Sequence, residues 1–275
     1  MRKRYSFSSR RTRRIENIGK QKKKYTSIAE QIIEQSDIIL EVLDSRFIEE
    51  TRNKELEEKI KRKDKKIIYV LNKSDLTKKI PKSKELYPSV KVSCKERKGI
   101  KDLRNLLKRE SKKIEKKDDS KVSVGIIGYP NTGKSSLINI LIGKSSAGTG
   151  SDAGFTKNIQ KLKLSEDIIL LDSPGVIPEE EYSNIDKEKI ATQTKLGGRS
   201  FSQVKEPDIV IAKIMEEYPK VLENFYGIKA DGDSEKLIEE LGKKKGLMKK
   251  GGKIDEDKVA RIILKDWQTG KIKIL

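Results

Sequence analysis

The eight residues Gly128-Tyr-Pro-Asn-Thr-Gly133-Lys134-Ser135 constrain this chain more than any others. They follow the apolar run KVSVGIIG and open the run KSSLINILIG, so the unit reads as strand, glycine-rich turn and helix. Glycines let such a turn wrap tightly, which points backbone N–H groups and a helix N-terminus at a bound anion. The residues placed to hold phosphate are Asn131, Thr132, Gly133, Lys134, Ser135 and Ser136. Lys134 has the reach for the outer phosphates of a nucleoside triphosphate and so for a catalytic role, and the Ser135 hydroxyl can ligate Mg²⁺. The bland alternative, a fortuitous turn, is disfavoured by the flanking strand and helix.

The rest of the pattern is organised around that unit. Six short apolar runs predict six strands: DIILEVLD, KKIIYVLN, YPSVKVSC, KVSVGIIG, NIQKLKLS and DIILLDSPG, the last two paired as a hairpin. Helical spacing separates most of them, including SIAEQIIEQ, Asn53 to Lys63, and Ile100 to about Lys117. This alternation implies an α/β fold with a mostly parallel sheet covered on both faces. After about residue 180 only helical runs are expected: EPDIVIAKIMEEYPKVLENFYG, SEKLIEELGKKKG capped by Ser234, and DEDKVARIILKDWQTG capped by Asp255. The chain thus divides into a basic arm (1–25), an α/β domain (26–180) and a small all-helical domain (181–275).

Further motifs sit at strand ends. Asp172-Ser-Pro-Gly175 puts an acid where Mg²⁺ would be held and a glycine amide (Gly175) where the γ-phosphate would be sensed. Asn72-Lys73-Ser74-Asp75 ends another strand. A carboxylate there accepts the N1–H and exocyclic amine of guanine, a donor pair that adenine lacks, so Asp75 reads the base. Asn72 bridges toward the phosphate loop, and the Lys73 stem covers the ring. Ser93-Cys94-Lys95, one strand later, has the form of a loop that backs the guanine. Alone, NKSD is as often a surface turn; with SCK and the phosphate loop in one chain the guanine site is preferred. Thr156, in GTGSDAGFTKN, is the candidate switch residue that completes the Mg²⁺ shell and assists catalysis, with Thr149 as its competitor. GTP and GDP are the expected ligands.

Composition narrows the partners. Lys plus Arg number 63 against 43 Asp plus Glu, a net charge of +20. Such an excess favours polyanions through phosphate neutralisation and counterion release, although a solvated surface is the plainer reading. Arg11, Arg13 and Arg14 of the arm, with Lys249 and Lys250 near the end, are the candidate RNA contacts. With no His and one Cys, a His triad, a His-containing zinc site and an intrachain disulfide are excluded. No apolar run reaches the ~18 residues of a membrane span, and a cytoplasmic protein with no membrane or DNA partner is expected.

In the order NKSD, SCK, GYPNTGKSS, GFTK and DSPG, the chain resembles the circularly permuted GTPases of the YlqF type, in which the base-reading motif precedes the phosphate loop. VLDSRFIEETRN resembles that family's D-A-R-x-P…R-N stretch, and KKGLMKKGGKIDEDKVARIILKDWQTGKI its closing helical segment. The resemblance implies GTP hydrolysis, action in assembly of the large ribosomal subunit, and contact with its rRNA. Asn131 matches an Asn that in related GTPases helps bind K⁺ near the phosphates. Two departures matter: the bacterial aromatic-Pro-Gly-His-Met opening is absent, and Ser45 and Ile48 replace the family's usual Ala and Pro. Val176 stands where many GTPases place the water-orienting Gln. Slow basal turnover follows. A protein-directed switch and an ATPase or kinase on the same loop are the competing readings.

Overall fold

In a computed structural model, residues 28–78, 80, 84–115, 120–143, 159–172 and 186–274 are described. The buried runs form six strands: β1 Ile38–Asp44, β2 Lys66–Asn72, β3 Ser89–Lys91, β4 Val122–Gly128, β5 Gln160–Lys163 and β6 Ile168–Asp172. They make one sheet in the order β3-β2-β1-β4-β6-β5, parallel except for β5 at the edge. Chain order therefore runs outward from β1 to β3, then crosses back to β4 on the other side of β1. The crossing makes the β1/β4 seam the topological switch point, where ligands bind in open α/β sheets. Register brings the strand ends together there: Asp44 pairs with Asn72, Val42 with Gly128 and Ile126 with Asp172.

Strand alternation feeds two apolar layers. Ile38, Leu40 and Val42 face α4 (Ile100–Ser111) and α5 (Lys134–Ile142), while Ile39 and Leu43 face the helical residues 28–35 (α1) and α3 (Lys54–Arg62). Between β1 and α3 lies the short α2 (Ile48–Thr51), and Asn53 caps α3 by accepting from Leu56 N. The α4 helix ends at Ser111, short of the expected Lys117.

One buried polar network interrupts the α3 layer. Arg52 donates twice to Glu57, at 2.8 Å each, Tyr69 donates its hydroxyl to Glu57, and Asn53 N donates to Glu41 Oε1. Burial and the neighbouring Glu57 push Glu41 up to about 8, so it is protonated at neutral pH while Glu57 stays ionised against Arg52. A carboxyl held neutral in the fold loses stability as pH rises from its unfolded value of 4.5 through 8. Glu41→Gln, which keeps the shape and the acceptor, is expected to raise the unfolding temperature at pH 9, with the gain shrinking toward pH 5. Scanning calorimetry across that range is the check; a pH-independent difference contradicts the assignment.

The remaining elements are all helical: α6 Lys187–Leu196, α7 Pro207–Glu217, α8 Val221–Tyr226, α9 Ser234–Lys245 and α10 Glu256–Gln268. Three of these results depart from the sequence reading. α6 was not anticipated. The run from Glu206 to Gly227 breaks into two helices at Pro219, with Lys220 left-handed at φ 64°, because the residue before a proline avoids the helical region. α9 is capped by Asp233, which accepts from Glu235 N and Lys236 N, while Ser234 is its first helical residue. Asp255 caps α10 as expected. The helices share a third core that takes in Phe47 and Tyr129 from the loops after β1 and β4. There Phe47, Tyr218 and Trp267 meet ring to ring at 5.6–6.0 Å.

Candidate nucleotide site

The loops leaving β1, β2, β3 and β4 converge beside the β1/β4 seam. Asn72, at the end of β2, donates its amide to Thr132 O at 2.8 Å and accepts from Cys94 N at 3.3 Å. One buried side chain thus ties NKSD both to the phosphate loop and to the SCK loop. Ser93 Oγ donates to Asp75 Oδ1 at 2.6 Å and accepts from Glu96 N, fixing the carboxylate that faces the site from the turn Ser74–Leu76. Asn72→Ala removes the buried partner of Thr132 O and should cost about 1–3 kcal/mol of stability even without ligand. Equilibrium denaturation measures this; an unchanged midpoint would mean the bridge carries no strain-bearing role.

In the phosphate loop, Asn131 and Gly133 are left-handed, at φ 60° and 97°. Gly133 is required twice over, since a Cβ there would lie 2.3 Å from Asn72 Nδ2. Lys134 is buried and folded back on the loop, donating to Gly128 O at 3.0 Å and Tyr129 O at 2.8 Å. Burial lowers its pKa to about 8, although Asp172 across the β4/β6 pair opposes the shift. Asp172 is itself buried at the end of β6, and Ser135 and Ser136 are half-buried in the first turn of α5. A buried acid within electrostatic reach of the loop lysine, with a hydroxyl beside it, is a donor set suited to a hard cation on phosphate oxygens. Burial pushes the Cys94 thiol up to about 11, so it is a neutral packing group, and Lys95 beside it is exposed.

Thr156, Gly175, Arg11, Arg13 and Arg14 lie outside the described residues. Lys249 and Lys250 are exposed on the turn between α9 and α10, closed by the Met248–Ile254 bridge, far along the chain from the phosphate loop.

Two sets of contacts at the site were not foreseen. Lys73, left-handed at φ 60°, extends its Nζ to Asp44 Oδ2 at 2.8 Å, and Arg46 grips the same carboxylate through Nε and Nη2. Burial would raise the Asp44 pKa, but the Arg46 and Lys73 charges outweigh it and hold the group well below the usual carboxylate range. The second is the turn after α6. Asn131 Nδ2 donates to Gly197 O at 2.7 Å, and a Cβ on Gly198 would sit 2.9 Å from the Tyr129 ring. The pair Gly197-Gly198 was the available signal, since adjacent glycines mark a place where another chain segment comes close.

Residues 123–245 match the family model described as 50S ribosome-binding GTPase. An uncharacterized GTP-binding protein of Methanocaldococcus jannaschii is 41% identical over 89% of the chain and 65% of its own length. Nucleolar GTP-binding protein 2 of Saccharomyces cerevisiae is 35% identical over 88% of the chain and 51% of its own length. GNP-bound YlqF from T. maritima superposes with a TM-score of 0.63 at 22% identity, covering 91% of the chain and 97% of that structure. The chain therefore shares its fold with YlqF along almost all of it, and spans less than two thirds of the length of these two curated relatives.

Proposed function

We propose that this chain, whose fold is that of YlqF, is a circularly permuted P-loop GTPase that binds GTP and GDP, hydrolyses GTP, and acts in assembly of the large ribosomal subunit. The observation that carries the reading is the Asn72 junction, which puts the base-reading turn and the phosphate loop one hydrogen bond apart. Asn72, Lys73, Asp75, Ser93, Cys94 and Lys95 surround the guanine; Asn131 through Ser136 and the Gly175 amide surround the phosphates. Ser135, Asp172 and Thr156 would hold Mg²⁺, which would supply positive charge to the phosphate oxygens. Lys134 releases the Gly128 and Tyr129 carbonyls to pair with the phosphates. Asn131, whose amide nitrogen donates to Gly197 O, is the residue placed to help hold K⁺ beside the phosphates.

Residues 1–25, 26–180 and 181–275 serve as basic arm, permuted GTPase domain and helical domain. The helical domain offers a surface for rRNA: Lys229, Lys236, Lys243 and Lys244, with the single acid Glu240, line a groove between α8 and α9. Lys249, Lys250 and the arm's Arg11, Arg13 and Arg14 are the further candidate contacts. Val176 cannot orient an attacking water, so turnover waits on the ribosomal partner.

The test is GTP turnover by the full chain with purified large or small ribosomal subunits, in K⁺ and in Na⁺. Stimulation by large subunits only, greater in K⁺, is expected. GTP binding without stimulation by either subunit would move the partner away from the ribosome, and equal rates in the two salts would remove the K⁺ role of Asn131.

A further inference from the structure

The end of α10 grips both flanks of the base-reading turn. On one flank, Ile274 N donates to Leu76 O at 2.9 Å, and Ile274 forms a parallel bridge with Thr77. Gly270, left-handed at φ 71°, lets the segment turn there; a Cβ would stand 2.7 Å from Leu76 Cδ1. Leu76 and Ile272 are both buried. On the other flank, Arg46 Nη1 donates to Trp267 O at 3.1 Å, in the last turn of α10, where a cation also meets the negative end of the helix dipole. The Arg46 guanidinium lies over the Phe47 ring at 4.8 Å and over Trp267 at 5.7 Å. The same guanidinium holds Asp44, and Asp44 holds Lys73. Asp75 sits between these two anchors, in the turn Ser74–Leu76.

We propose that α10 and the segment Lys271–Ile274 are a positioning element for the guanine-reading turn, so that docking of the helical layer and occupancy of the base site strengthen one another. The coupling deepens the reading of Asp75 as the base acceptor and rests on it. This route from nucleotide to helices needs no γ-phosphate, so it acts with GDP as well as GTP. Reciprocity gives it a consequence: a partner that pulls α10 away from Leu76 and Arg46 loosens the nucleotide by the same factor that nucleotide tightens the docking. Release of GDP then follows engagement of the helical layer and needs no contact with the phosphates.

The test uses the full chain, a fluorescent GDP, ADP, and inorganic pyrophosphate as a probe of the phosphate loop alone. Ile274→Pro deletes the N–H that reaches Leu76, and Arg46→Met deletes the other anchor. Each is expected to weaken GDP about tenfold, mainly through faster release, and to leave pyrophosphate affinity unchanged. Wild-type amide hydrogen exchange gives a second readout that needs no variant: GDP should slow exchange at 74–77 and 270–274, and pyrophosphate should not. If the wild-type chain does not prefer GDP to ADP, the reading of Asp75 fails and the coupling with it. If it does, but GDP leaves exchange in both segments unaltered or the folded variants bind GDP like wild type, the coupling alone is overturned.

Discussion

Replacing Lys134 with alanine is expected to lower GTP turnover by on the order of 10²–10³-fold, the usual effect of deleting one preorganised charge at a reacting centre. The buried ammonium is already at the loop, where it exchanges its bonds to the Gly128 and Tyr129 carbonyls for phosphate oxygens. Its environment also makes the interaction pH-dependent. Burial first, helped by Lys73 and opposed by Asp172, lowers the pKa from 10.5 to about 8 without ligand. A bound polyphosphate restores the charged form, so binding near pH 8 takes up about half a proton, and affinity falls as pH rises further. Calorimetry in two buffers of different ionisation enthalpy reads that uptake. Lys134→Ala should abolish it together with turnover; a variant that keeps either would remove Lys134 from the phosphate site.

The second large effect is expected at Asp75. Asp75→Asn should weaken GTP binding by about two to three orders of magnitude, because a site built to pair with a donor couple strongly rejects the mismatch. The amide orientation follows from Ser93, whose hydroxyl donates to Oδ1 of residue 75. An asparagine there keeps Oδ1 toward Ser93 and turns Nδ2 toward the base, where it opposes the guanine amine. Xanthine carries a carbonyl at that position, so xanthosine triphosphate should gain affinity as GTP loses it. Competition between the two nucleotides on wild type and variant is the measurement, and a variant that still prefers GTP contradicts the base-reading role.

The parallel strands were legible because burial on both faces makes them near-continuous apolar runs, as in IILEVLD and KIIYVLN. The motif order then located the strand ends that carry chemistry. α6 was hidden for the opposite reason. Its buried face includes Gln193, Thr194 and Lys195, so KEKIATQTKL lacks apolar periodicity. That burial is made tolerable by two long-range bonds that no local pattern announces, Trp267 Nε1 donating to Lys195 O and Gln268 Nε2 to Thr194 O, and by a local one from Arg199 Nε to Gln193 Oε1. Asp44 and Arg46 were visible only as part of a family-like stretch. Their task depends on Lys73, 29 positions away, and on Trp267, 221 positions beyond Arg46, separations that only the fold closes. The choice of Ser234 over Asp233 as a cap was a one-residue error between two good capping types.

The most direct test of the central claim, that motifs in permuted order assemble one guanine-nucleotide site, is equilibrium binding of GDP and ADP to the full chain in Mg²⁺ buffer. GDP is expected to bind at least about 100-fold more tightly, because ADP offers Asp75 no donor pair. Equal affinities, or a preference for ADP, would contradict the account.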